Sequence, residues 1–186
     1  MFQQLLSFLL RYSLVVVLGL GLMVFVFYPL VVSLLVKDMT WKQFQSGMRD
    51  AQITAFSTSS SVATLPVTMK CVNEKLGVSK RTSSFVLPIG ATVNMDGTSM
   101  YQAIAVVALA QFHMVDLDWS QQAIIVITAT LASIGAAAIP SAGLVLMIIV
   151  LESVGLNPAW IALIFPVDRI LDMCRTVVNV TGDGAV

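Results

Sequence analysis

Six polar side chains late in the sequence, Asp168, Asp172, Arg175, Thr176, Asn179 and Asp183, follow one another at spacings of 4, 3, 1, 3 and 4 residues. At the helical period of about 100° per residue they fall within roughly 100° of arc, while Ile170, Met173, Val177, Val178 and Val180 point elsewhere. Carboxylates, a guanidinium, a hydroxyl and an amide on one stripe make a surface able to bind a charged solute. A plainer reading of part of it is a structural ion pair between Asp172 and Arg175 at i,i+3, which leaves Asp183 unexplained. A second group, Asn94-Met95-Asp96-Gly97-Thr98, sits inside an apolar run. A helix interrupted at Gly97 frees backbone carbonyls, and these, with oxygens of Asn94 and Asp96, are the ligand type that hard cations prefer. The alternative there is a kink holding a buried hydrogen bond.

The surroundings give these residues their weight. Of 186 residues, 58% are hydrophobic and 11% charged, and the mean hydropathy is +0.91. A soluble domain carries about 25% charged residues. Leu14 to Val36 holds no charge, and Phe85 to Val115 holds one, Asp96. Helical spans take about 20 apolar residues, so both runs are long enough, and the roughly ten-residue alternation of a membrane β-barrel is absent. The sequence therefore predicts an all-α integral membrane protein. A charge at the bilayer centre costs about 2.5–3.5 kcal/mol on insertion scales, so a stripe of such groups implies a function.

Net charge is zero, which leaves no electrostatic footprint for nucleic acid. Its distribution is uneven. Lys37, Lys42, Arg49, Lys70, Lys75, Lys80 and Arg81 lie between the two long apolar runs, whereas residues 82–167 contain no Lys or Arg and include Asp116, Asp118 and Glu152. The positive-inside rule then puts residues 37–81 on the cytoplasmic side and the loop at 113–120 outside. Cys71 and Cys174 lack a CxxC spacing, so neither a disulfide framework nor a cysteine metal site is expected. His113 reads as an interfacial residue at the end of an apolar run.

Five elements must position the two groups. Residues 1–37 form a transmembrane helix, bent at Pro29. Residues 42–73 hold a Ser/Thr cluster, Ser57 to Ser61, followed by Thr64 and Pro66, between arms flanked by basic residues. This reads as a re-entrant hairpin entered from the cytoplasm. Residues 82–113 form a broken transmembrane helix containing NMDGT. Residues 120–155 have two apolar arms, each shorter than the roughly 20 residues of a span, around a small-residue tip with Pro140, and read as a second re-entrant hairpin entered from outside. Residues 157–186 form the final transmembrane helix. Helix, hairpin and polar span thus occur twice, with the hairpins entering from opposite faces. Inverted repeats with interrupted helices point to transporter sites near the midplane, and irregular backbone survives at that depth only where protein or a cavity surrounds it. Two ordinary spans built from poor helix formers are the simpler alternative.

Four motifs in collinear order, the serine-rich tip before TLP, NMDGT, ASIGAAAIPSAG and DMCRTVVNVTGD, resemble the glutamate transporter family, the dicarboxylate/amino acid:cation symporters, over about residues 20–186. The resemblance implies a multi-pass protein of the cell (inner) membrane, whose transport domain of two re-entrant hairpins and two broken or polar helices moves elevator-fashion against a trimeric scaffold. It implies that Arg175 pairs the side-chain carboxylate of an acidic amino acid, a task suited to a planar guanidinium, and that Asp172 holds its amino group. Thr98, Thr176 and Asn179 would hydrogen-bond the substrate. Ser61, with the Ala138–Ile139 backbone, would close over the α-carboxylate, and Gly143 would also contact the substrate. With sodium as the coupling ion and no other cofactor, Asp183 and the carbonyls of Gly90, Asn94 and Asn179 resemble one site. Thr92 with the carbonyls of Ser133, Ile134 and Ala136 resembles a second, and Asp96 with Asn94 would serve a third.

There are departures. Family members are longer, and the preceding helices that build their scaffold and part of the third sodium site are not in this sequence. A C-terminal fragment that holds most of the substrate and ion sites but is inactive alone is therefore expected. Val62 stands where many members carry a serine. Proton-coupled symport of a dicarboxylate or glutamate, and an ion channel lined by the same oxygens, are the alternatives. An intramembrane aspartyl protease built on Asp96 and Asp183 would need YD and GxGD contexts that the sequence lacks, so no enzyme is expected.

Overall fold

The computed structural model describes residues 2–36, 39–136 and 138–185, and among these every regular element is helical. Lys37 in the basic connector, Ala137 in the second tip, and the outermost residues of the expected first and last helices, Met1 and Val186, lie outside the described residues.

Helix α1 (Phe2–Leu22) runs through a π-helical turn, Met23–Phe27, into α2 (Tyr28–Leu35). The irregularity expected at Pro29 thus falls just before it. Proline cannot donate to the carbonyl four residues back and its ring collides with that carbonyl, and a turn with one extra residue relieves both problems. Together these segments make a helix of 33 residues from Gln3 to Leu35, among the described residues the one helix long and apolar enough to cross a bilayer by itself. At about 1.5 Å per residue it is roughly 50 Å long, against about 30 Å of hydrocarbon. Tyr12, Val16, Leu20, Tyr28 and Val32 are buried, whereas Leu6, Leu10, Leu14, Leu18 and Leu22 form an exposed stripe at four-residue spacing.

Helix α3 (Trp41–Thr58) opens on a capping box in which Thr40 and Gln43 bond each other's backbone N–H. It ends where Ser59 turns left-handed at φ 52°, and Ser60 then accepts the Ala63 N–H to start α4 (Ser61–Glu74). The serine cluster therefore acts as a stop and a start signal in two residues. At the other end of this helix pair Lys75 Nζ lies 2.6 Å from Asp50 Oδ2.

Helices α5 (Lys80–Val93) and α6 (Asp96–Phe112) are separated by Asn94 and Met95. The interruption expected at Gly97 is thus displaced, and Gly97 lies in the first turn of α6. Helix α7 (Trp119–Ile134) is started by a second capping box, between Asp118 and Gln121. Helix α8 (Ala142–Ser153) follows Ser141, which is left-handed at φ 62°. The final segment does not become α-helical at residue 157 as expected. Asn157 caps a 3₁₀ turn, Pro158–Leu163, and α9 (Phe165–Ala185) begins only beside the next proline, Pro166, which its first turn accommodates. Helix α9 packs on α1 to α6 and is the centre of the molecule. His113 stacks on Trp160 with ring centroids 3.6 Å apart, which fastens the end of α6 to the 3₁₀ turn.

Candidate functional site

The polar stripe of α9 is buried: Asp168, Asp172, Arg175, Thr176, Asn179 and Asp183 are all enclosed. Arg175, only 1% exposed, lies at its middle. Its Nη2 donates to Asp172 Oδ1 at 2.7 Å and to Asp168 Oδ1 at 3.0 Å. The i,i+3 ion pair is therefore present, extended to a second aspartate one turn earlier. The guanidinium carbon sits 3.7 Å from the centroid of the Tyr101 ring, and the Tyr101 hydroxyl donates to Asp168 Oδ1 at 2.8 Å. Two aspartates and an aromatic face thus hold one side of the guanidinium. The other side is free: Nε and Nη1 are buried with no hydrogen-bond partner.

That free edge points towards α8. A side chain added at Gly143 would place its Cβ 2.6 Å from Thr98 Cγ2 and 3.9 Å from Arg175 Nη1. Asp172 Oδ2 accepts the Ser141 N–H at 2.9 Å, so the second tip lies directly on the stripe. The two tips also meet, because Ser60 Oγ donates to the Ala138 carbonyl at 2.6 Å. Ser60 makes this contact, while Ser61 is buried beside it and the Ile139 side chain faces outward, 61% exposed. From α6, the Gly97 N–H donates to Asn179 Oδ1 at 2.8 Å and Asn179 Nδ2 donates to Thr98 Oγ1 at 3.1 Å. Thr176 Oγ1 donates to the Asp172 carbonyl of its own helix at 2.9 Å.

A second cluster lies further along α9. Asn94 Nδ2 donates to Asp183 Oδ1 at 3.0 Å, and the Tyr28 hydroxyl donates to Asp96 Oδ2 at 2.5 Å. Asp96 Oδ1 is buried without a partner, which is the kind of orphan oxygen a cation would satisfy. Gly182 sits among these groups, where a Cβ would be 2.7 Å from the Tyr28 hydroxyl, 2.8 Å from Asn94 Nδ2 and 3.1 Å from Asp96 Oδ2. A Cβ on Gly90 would likewise lie 2.8 Å from Asp183 Oδ1, and the Gly90 carbonyl accepts the Asn94 N–H at 2.8 Å.

In the remaining expected set, helix α5, which carries Thr92, touches helix α7, which ends at Ile134. Thr92 is exposed and its hydroxyl donates to Ile89 O within its own helix at 3.0 Å. Ser133 Oγ donates to Thr130 O at 2.8 Å, the Ser133 carbonyl accepts the Ala136 N–H at 3.1 Å, and the Ile134 side chain is exposed. Other residues join the site without having been assigned a role from the sequence: Tyr28, Ser60, Tyr101, Gln102, whose Nε2 donates to the Gly143 carbonyl at 2.8 Å, and Asp168. Tyr101 follows Thr98 by three residues and shares its helix face, a usable local signal. Tyr28 has none, since its partner is 68 positions away.

Among the described residues the helices present many apolar side chains outward and enclose a cluster of charged ones. Residues 2–186 match the sodium:dicarboxylate symporter family, and the chain belongs to it. Over 172 residues, 92% of this chain, it is 51% identical to excitatory amino acid transporter 1 of Rattus norvegicus, 48% identical to excitatory amino acid transporter 2 of Homo sapiens and 50% identical to excitatory amino acid transporter 3 of Oryctolagus cuniculus. The aligned region is 32%, 30% and 33% of those proteins, respectively, so the chain spans about a third of the length of the relatives it matches.

Proposed function

We propose that this chain forms the substrate- and cation-binding part of a sodium-coupled symporter for an acidic amino acid, glutamate or aspartate, in the cell membrane. The observation that carries the reading is the unpaired Nε–Nη1 edge of the buried Arg175 beneath Gly143. Two parallel donors in a dry site suit a carboxylate. Asp172, bonded to the Ser141 N–H, would exchange that donor for the substrate's ammonium as the second tip lifts. Thr98 and Asn179 lie beside that edge, and Ser60 and Ser61 with the 138–143 segment would cover a substrate held there.

Charge explains why cations accompany the substrate. Among the described residues of the site, four carboxylates, Asp96, Asp168, Asp172 and Asp183, share the interior with one guanidinium. An acidic amino acid adds one more negative charge, and uncompensated charge in a low-dielectric interior is strongly unfavourable. Cations held by Asp183, Asn94 and Gly90, and by Asp96, restore the balance. The helix pairs α3–α4 and α7–α8 are the two re-entrant hairpins, entering from opposite faces, and α5–α6 is a span broken at Asn94. In the assembled transporter this segment moves within a homotrimer.

The test uses a full-length family member carrying this segment, reconstituted in liposomes. Aspartate uptake should follow an imposed sodium gradient. Asp183→Asn should raise the half-saturating sodium concentration at least about tenfold, the effect of losing a hydrogen-bonded charge, with a smaller change in aspartate affinity at saturating sodium. Uptake driven by a proton gradient without sodium would replace the sodium reading by the proton-coupled one, and purely dissipative flux would replace symport by a pore.

A further inference from the structure

We infer that Tyr28 is a positioning residue for cation binding: its phenol fixes one oxygen of Asp96 so that the other is presented to the ion. The inference rests on the reading of Asp96 as a cation ligand given above.

Two independent observations meet at this side chain. The first is the bonding of the carboxylate. Tyr28 is buried and donates to Asp96 Oδ2, with the Val178 carbonyl a further 3.3 Å contact of the same hydroxyl. Asp96 Oδ1 has no partner. One oxygen is therefore anchored and the other is left for a ligand. A neutral phenol cannot supply the positive charge the carboxylate lacks, so it orients the group without replacing a cation. Gly182 makes the approach possible, because any side chain there would occupy the space between the phenol, Asn94 and Asp96.

The second observation is the π turn. Counting about 100° per residue from Tyr12, Val16 lies near 40°, Leu20 near 80° and Tyr28 near 160°, so in a continuous α-helix Tyr28 would leave the buried face. The extra residue of the Met23–Phe27 turn takes back about one residue of rotation, which returns Tyr28 to roughly 60°, between Val16 and Leu20. All three side chains are indeed buried together with Val32. The turn relieves Pro29 and at the same time aims Tyr28 at Asp96.

The experiment compares Tyr28→Phe, Asp96→Asn and the double variant in a full-length family member carrying this segment. Two quantities are read: sodium-dependent thermal stabilisation without substrate, and aspartate binding at saturating sodium. Tyr28→Phe keeps the ring and removes the donor. It should raise the sodium concentration for half-maximal stabilisation about tenfold, the usual effect of losing a hydrogen bond to a charged group. Aspartate affinity at saturating sodium should shift much less than the sodium response. In the Asp96→Asn background Tyr28→Phe should add nothing, the signature of a coupled pair. 3-Fluorotyrosine at position 28, a stronger donor of nearly the same size, should shift the sodium response the opposite way. An unchanged response in Tyr28→Phe, an equal shift in both backgrounds, or a 3-fluorotyrosine effect of the same sign as phenylalanine overturns the positioning role. If the parent itself shows no sodium response, the cation reading of Asp96 fails, and this inference fails with it.

Discussion

Arg175→Cys is expected to abolish binding of acidic amino acids, with aspartate affinity falling at least about a hundredfold. The variant belongs in a full-length family member carrying this segment, with equilibrium binding of radiolabelled aspartate as the readout. The magnitude follows from burial. Arg175 is 1% exposed and has no water to fall back on. Removing one partner of a buried charge pair costs about 3–5 kcal/mol, and each 1.4 kcal/mol or so is a factor of ten. The loss has two parts. The substrate carboxylate loses the Nε–Nη1 edge that no protein group occupies. Asp168 and Asp172, which now share Nη2, are left facing each other without a cation, and the site becomes more repulsive to an anion. Neutral amino acids lack the side-chain carboxylate and should be admitted, which also serves as the check that the protein has folded. Unchanged aspartate affinity would sink the assignment of Arg175. Succinate bound as tightly as aspartate by the parent would count against a role for Asp172 in holding an amino group.

What can be read directly from the sequence follows from chemistry that is local in the chain. The stripe from Asp168 to Asp183 is visible because its period is helical and its surroundings are apolar, and all six side chains are in fact enclosed. The serine tip is visible because capping and left-handed turns select residue types, and Ser59 and Ser60 use both. The break near NMDGT is harder. Glycine within an apolar helix signals either an interruption or a close approach, and its own neighbours do not say which. Gly97 is the second case: the group it approaches, the Arg175 carbonyl, is distant in sequence. Tyr28 is harder still. Its aim at Asp96 depends on a π turn that its hydrophobic sequence, MVFVF, does not advertise. Membership of the family says which proteins this chain is similar to; the positions of Tyr28 and Tyr101 in the site come from packing.

Gly97→Ala should lower both stability and ligand affinity, although alanine is the better helix former by about 1 kcal/mol. The added Cβ would lie 2.8 Å from the Arg175 carbonyl oxygen, 3.0 Å from Asn179 Oδ1 and 3.0 Å from Val178 Cβ. The nearest of these is backbone of the central helix α9 and cannot rotate away, so α6 must move off. Overpacking of this kind costs about 1–3 kcal/mol, more than the propensity gain. The displacement stretches the Gly97 N–H bond to Asn179 and, through it, the Asn179 bond to Thr98. Because Asn94, Asp96 and Thr98 all lie on this one segment, the half-saturating concentrations of sodium and aspartate should rise together, each by about tenfold for a loss near 1.4 kcal/mol. Asp183→Asn and Tyr28→Phe differ in this respect, since both should act mainly on sodium. Gly21→Ala is the matched control: it lies in α1 with nothing within 4 Å of the added Cβ, and it should leave melting temperature and both affinities at parental values. If Gly97→Ala behaves like Gly21→Ala, α6 and α9 have slack at this crossing, and their close approach does not set the geometry of the site.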